Sequence, residues 1–158
     1  MDEQVDITVP AERTEELVEA LALVWEASVR ATHAFLTEDD VVALRPEARA
    51  GVAGVDVLEV ARLDGELCGF SGVQDGKLEM LFVAPAARGC GVGKSLLARA
   101  IALHGATELD VNEQNPQAVG FYEHEGFAVA GRSAVDDAGR PFPLLHMRLA
   151  SGSEGRER

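Results

Sequence analysis

The chain is poor in the residues that staple small domains together. It has two cysteines in 158 residues, Cys68 and Cys90. They offer neither a disulfide framework nor a metal-ligand spacing, and they fit a reducing cytoplasm. His104, His124 and His146 show no ligand spacing either, so no metal is assigned. Aromatic residues are 5% of the chain, with one tyrosine and one tryptophan. No apolar run approaches the ~20 residues of a membrane span, so no membrane partner is expected. The start, Met1-Asp2-Glu3-Gln4, lacks the basic and apolar regions of a signal peptide. Basic residues are also few, with 14 Lys and Arg against 27 Asp and Glu and a net charge of −13. Nothing resembles a basic stripe, which excludes nucleic acid as an expected partner and fits poorly with a tRNA-linked acceptor.

Two phosphate motifs are also missing, each by a specific residue. A Walker A loop needs glycine where Arg88 stands, five positions before Gly93-Lys94-Ser95. A dinucleotide fingerprint starting at Gly89 would need glycine at Lys94, and one starting at Gly91 would need it at Leu96. What is present is Arg88-Gly89-Cys90-Gly91-Val92-Gly93-Lys94-Ser95. It follows an apolar run, Leu78-Glu79-Met80-Leu81-Phe82-Val83, closed by Ala84-Pro85, which predicts a buried strand. Leu96, Leu97, Ala100 and Ile101 then share one helical face. The glycines therefore sit where a strand becomes a helix N-terminus. There, unpaired N–H groups and a partial positive charge suit a phosphate, and glycine lets the backbone approach it closely. A tight strand-to-helix turn is the plainer alternative.

The remaining pattern is that of one domain over residues 1–150, followed by a polar tail, 151–158, with the composition of a disordered segment. Strand signals cover 6–10, 55–62, 66–73, 78–83, 108–111, 128–133 and 143–148. Helical periodicity covers 14–34, 91–104 and 116–124. Thr37, followed by Glu38, Asp39 and Asp40, reads as the capped start of a further helix running to about Gly51. Leu63-Asp64-Gly65 and Gln74-Asp75-Gly76-Lys77 read as hairpin turns. This order predicts an α+β fold on one twisted mixed sheet. Charge is uneven along it: residues 1–75 hold 5 basic and 17 acidic side chains, and residues 76–158 hold 9 and 10. The near-neutral half carries the proposed anion site; the acidic half either attracts a cationic amine or simply aids solubility.

Two motifs together resemble a known family. Arg88-x-x-Gly91-x-Gly93 is similar to the pyrophosphate loop of the GNAT superfamily of acyl-CoA-dependent N-acetyltransferases. Downstream, Asn115-x-x-Ala118-x-x-Phe121-Tyr122-x-x-x-Gly126-Phe127 fills every position of the family's N-x-x-A-x-x-F-Y-x-x-x-G-F pattern. The runs around Ala31-Thr32-His33 and from Val111 to Phe121 also look like small bacterial members described as peptidyl-lysine N-acetyltransferases. The resemblance implies the acyl-CoA N-acyltransferase fold, with helices flanking the sheet and its fourth and fifth strands parallel and splayed. It implies transfer of acetyl from acetyl-CoA to a primary amine by direct attack in a ternary complex. The acceptor is left open among protein lysine, a protein N-terminus and a small metabolite amine, as is oligomeric state. The rival reading is a non-catalytic acyl-CoA-binding or sensor module.

The resemblance also implies site residues. Leu81, Phe82, Val83, Arg88, Gly89, Cys90, Gly91, Val92, Gly93, Lys94, Ser95 and Asn115 would meet the cofactor. A backbone N–H near Leu81 or Phe82 would polarise the thioester carbonyl. Tyr122 matches the family's general acid, and an ordinary pKa of ~10 keeps it protonated at neutral pH; otherwise it is a core tyrosine. Glu79, on the strand face of Leu81, reads either as a base acting through water or as a solvated carboxylate. His33 reads as a second base candidate or a structural histidine. Trp25 and Phe35 line an acceptor pocket or belong to the core.

Overall fold

A computed structural model describes residues 5–150. The tail at 151–158 and the first four residues, on which two of the expectations fall, lie outside the described residues. The chain forms two compact units, Met1–Ala106 and Thr107–Arg158.

In the first unit, strands β1 (Val5–Thr8), β2 (Val57–Leu63), β3 (Glu66–Gln74) and β4 (Lys77–Val83) pair antiparallel in sequence order. The two hairpins turn through Asp64-Gly65 and Asp75-Gly76, all four with positive φ. That is the turn type whose twist matches the flanking strands. Side chains alternate across the sheet. Leu58, Val60, Phe70, Met80 and Phe82 meet helix α1 (Glu15–Thr32), through Leu21, Val24, Trp25 and Val29, and helix α2 (Glu38–Gly54). Ala61, Cys68, Leu81 and Val83 face the other way, onto Val92 and Leu96 of helix α3 (Val92–His104). Gly69 permits that close approach, since a Cβ there would lie 3.2 Å from the Val92 side chain and 3.0 Å from the Phe82 carbonyl oxygen.

The helix starts follow the sequence. Thr14 caps α1, and Thr37 forms a reciprocal capping box with Asp40. The end of α2 does not follow it. The helix passes through Pro46 and Gly51 to Gly54, three residues beyond the expected stop. The cause lies about forty residues away: the Arg13 guanidinium donates to the carbonyl oxygens of Val52, Ala53, Val55 and Asp56. A side chain from elsewhere thus satisfies carbonyls that a helix end leaves unpaired. A short 3₁₀ turn, Pro85–Ala87, also went unread between β4 and the glycine loop.

Among the described residues of the first unit, one charged side chain is buried. Glu59 of β2 is 1% exposed, and Arg99 of α3 grips it with two hydrogen bonds of 2.8 Å. The Arg99 bonds hold the Glu59 carboxyl below the usual range, against the opposing effect of burial. His104 Nε2 stands 3.3 Å from the same carboxylate, but off the line of a hydrogen bond.

In the second unit, β7 (Leu144–Leu149) lies between β5 (Glu108–Asn112) and β6 (Phe127–Ser133), antiparallel to both. Helix α4 (Pro116–His124) connects β5 to β6 and packs on both. Leu109, Val111, Phe127, Met147 and Tyr122 are its buried apolar residues. Leu109 and Met147 stand directly opposite each other on neighbouring strands.

Candidate active site

Within the first unit the predicted cofactor residues form one continuous path, the end of β4 running into the start of α3. The Ala84 N–H donates to the Cys68 carbonyl at 2.7 Å. Phe82 faces Phe70 in the same register, so its N–H also points into the β3 ladder. The N–H groups of Leu81 and Val83 point to the opposite edge of β4. Of the two positions expected to polarise a carbonyl, Phe82 is thereby committed to the β3 ladder.

Beyond the 3₁₀ turn, Gly89 and Gly91 adopt φ of +83° and +80°. A side chain at either position would be strained, so these two glycines are required by conformation. Gly91 is the residue before the first turn of α3, which has no side-chain cap and no acidic residue in that turn. The first backbone bond inside the helix runs from the Ser95 N–H to the Gly91 carbonyl. The preceding N–H groups, through Lys94, are the ones a helix start leaves without helical partners. Arg88 and Lys94 are exposed beside them, and Cys90 is half-buried against the Val92 cluster. A pyrophosphate fits this donor set: backbone N–H groups, a helix dipole and two exposed cations.

Glu79 is exposed on β4, with no ion-pair partner among the described residues. It stands at the register shift where Val73 lies opposite Leu78 and Gly72 opposite Met80, so strand alternation does not carry the expected Leu81 face through to it. His33 ends α1. Its Nδ1 lies 2.7 Å from Thr32 Oγ1 and its ring centroid 5.2 Å from that of Phe35. Burial lowers its pKa below the ordinary imidazole value, so the ring is neutral at pH 7. Trp25 is core, packed with Leu21 and Phe70.

Within the second unit, Asn115 and Tyr122 lie at opposite ends of α4. Asn115 is buried, and its Oδ1 accepts from the Ala118 N–H at 3.3 Å, which caps the helix. Its place in the family motif therefore has a local structural role as well. Tyr122 is 9% exposed, with edge-on ring contacts to Phe121 at 5.2 Å and Phe127 at 6.1 Å. No group among the described residues hydrogen-bonds its hydroxyl. Burial raises its pKa well above the ordinary phenol value, so the hydroxyl stays protonated at every physiological pH.

Comparisons with known proteins identify the family and the fold. The Acetyltransferase (GNAT) domain family matches residues 55–129, which span the glycine loop and Tyr122. The chain is 43% identical over 136 residues to the peptidyl-lysine N-acetyltransferase YjaB of Escherichia coli, covering 82% of this chain and 88% of that protein. The Salmonella typhimurium YjaB is 42% identical over the same length, covering 82% and 89%. The solution structure of the apo form of Escherichia coli YjaB superimposes with a TM-score of 0.82 at 37% identity, over 93% of this chain and 98% of that one. The chain belongs to the GNAT acetyltransferase family and has its fold. It is an acetyl-CoA-dependent N-acetyltransferase. Among the described residues no helix is long and apolar enough to cross a membrane.

Proposed function

We propose that this acetyltransferase acts on the ε-amine of lysine in a protein or peptide, by direct attack of the amine on the thioester in a ternary complex. The observation that carries the acceptor class is 43% identity, across most of both chains, to a peptidyl-lysine N-acetyltransferase. The 17 acidic against 5 basic side chains in residues 1–75 support it, because they attract a cationic acceptor.

In this reading the N–H groups of Val92, Gly93 and Lys94 hold the pyrophosphate, with Arg88, Lys94 and Ser95 around it. The backbone from Leu81 to Val83 orients the thioester arm, and the Leu81 N–H stabilises the developing oxyanion. Asn115 acts at one remove by holding α4 in place. Tyr122 delivers its proton to the departing sulfur. Glu79, ~7 Å along the strand from Leu81, accepts the amine proton through a water. Neutral His33 is the second base. The residues through Ala150 work as one catalytic domain.

The test is an acceptor screen with acetyl-CoA, reading free-thiol release and acetylated product by mass. Lysine peptides are expected to outperform an equimolar panel of small amines by at least tenfold in kcat/KM. Equal or better transfer to small amines would overturn the lysine assignment. A pH–rate profile separates the bases, since Glu79→Gln should slow transfer most at low pH, where the amine is still protonated.

A further inference from the structure

Three side chains of the second unit that N-acetyl transfer does not use come together on one face of its sheet. Asp110 on β5 and Gly131 on β6 both stand opposite His146 on the central strand β7. Ser133 lies two residues beyond Gly131 and so shares its face. The His146 Nδ1 is 2.6 Å from Asp110 Oδ1, and its Nε2 is 2.6 Å from Ser133 Oγ. A carboxylate at Nδ1 requires the proton there, and in the neutral imidazole Nε2 is then the acceptor for the serine O–H. A nucleophile within hydrogen-bond reach of a base, with the base oriented by a third group, is the arrangement that activates a serine. It is also accessible: the His146 side chain is 39% exposed, Asp110 17%, and Ser133 is half-buried. Polar pairs across strands are ordinarily worth ~0.2–1 kcal/mol of sheet stability, but that role requires no three-membered chain ending on a serine.

We propose that Ser133 is an acyl-accepting nucleophile, served by His146 and Asp110, that takes an acetyl group from an activated ester or thioester. Ser133 Oγ attacks the carbonyl carbon while its proton passes to His146 Nε2. The carbon–sulfur bond breaks, and the sulfur leaves with the proton returned by Nε2, giving a free thiol and O-acetyl-Ser133. Asp110 holds the imidazole in its tautomer and stabilises the imidazolium. Water, deprotonated by the same Nε2, then releases acetate and restores the serine. The chain thus carries a slow esterase and thioesterase centre beside its amine chemistry, and its own co-substrate is a suitable donor.

The test uses the full chain with p-nitrophenyl acetate, so it does not depend on the cofactor site. Intact mass and peptide mapping should show one acetyl group on Ser133, removed by neutral hydroxylamine as an ester is. Ser133→Ala should abolish it, and His146→Gln should slow its formation by ~100-fold, the scale of general-base assistance. Asp110→Asn should slow it by at least tenfold. A fluorophosphonate on the unmutated protein gives a readout independent of variant folding, and should label Ser133 in preference to Ser28, Ser71 and Ser95. Acetyl groups confined to hydroxylamine-stable lysine amides would overturn the proposal. So would a fluorophosphonate that spares Ser133, or equal acylation rates in a folded His146→Gln variant and the wild type.

Discussion

Helices α3 and α4 both follow a strand, and they begin in opposite ways. At the start of α4, Asn115 caps the Ala118 N–H and Pro116 occupies the first turn, where its missing N–H removes a donor that would lack a helical partner. At the start of α3, Gly91 caps nothing, and its left-handed conformation exposes the N–H groups that follow. The α4 start is satisfied within the chain, and Tyr122, the proposed acid, sits in the last turn of that helix. The α3 start has no side-chain cap. If α3 binds the pyrophosphate as proposed, the absence of a local cap contributes to its anion site as much as glycine does.

The contrast can be tested from either helix, and the largest effect belongs to α4. Tyr122→Phe keeps the ring between Phe121 and Phe127 but removes the proton donor. Steady-state kinetics should show kcat falling ~100-fold with KM for acetyl-CoA little changed, the lower part of the general-acid range for a thiol of pKa ~8.5. A variant retaining more than half of wild-type kcat would remove Tyr122 as the acid. Because Tyr122 is the only tyrosine, ultraviolet titration reads it alone, and its ionisation should fall well above the free-phenol value. The sign follows from the raised folded pKa: its contribution to stability is whole below the unfolded value of ~10 and is lost as pH rises beyond it. Urea midpoints across that range give the check.

On α3, Gly93→Val places a side chain at the anion site without touching a positive-φ residue. Calorimetry should show acetyl-CoA affinity reduced more than tenfold with the fold intact. Gly91→Val is the poorer probe, because its φ of +80° would add strain to any binding effect. Unchanged affinity in folded Gly93→Val would dissociate the loop from the pyrophosphate.

The cap of α4 should behave as the mirror image. Asn115→Ala is expected to lower unfolding free energy by ~1 kcal/mol in denaturant melts, with Asn115→Asp restoring most of it and acetyl-CoA affinity nearly constant. A tenfold affinity loss in Asn115→Ala without loss of stability would reverse the assignment and make it a direct cofactor contact. The smallest effect is expected for Arg88→Ala. An exposed charge beside fixed N–H donors should contribute less than ~5-fold to affinity, and that share should shrink further at high salt.

Much of this was legible in the chain because it depends on neighbours. Thr37 with Asp40, Asn115 with Ala118, and the Asp-Gly pairs at 64–65 and 75–76 make their bonds within a few residues, so short patterns reveal them. The glycine loop was legible for the same reason. The end of α2 was not, because Gly51 resembles a stop by propensity while Arg13 continues the helix from a distant segment. The direction of the Leu81 and Phe82 N–H groups needed the register of β3 on β4, which no periodicity reports.

The amino-acid sequence by itself determined the order of elements, the caps, the uncapped glycine loop and the motif slot of Tyr122. These follow from backbone sterics and hydrogen bonds of short range. Only the tertiary structure decided which polar residues meet. It buried Glu59 beneath Arg99, left the Tyr122 hydroxyl without a partner among the described residues, and aligned Asp110, His146 and Ser133 on three strands. Such contacts join residues 13 to 40 positions apart. Their geometry is set by strand register and helix packing, and register is fixed by which whole face of a strand is buried rather than by the polar residues themselves.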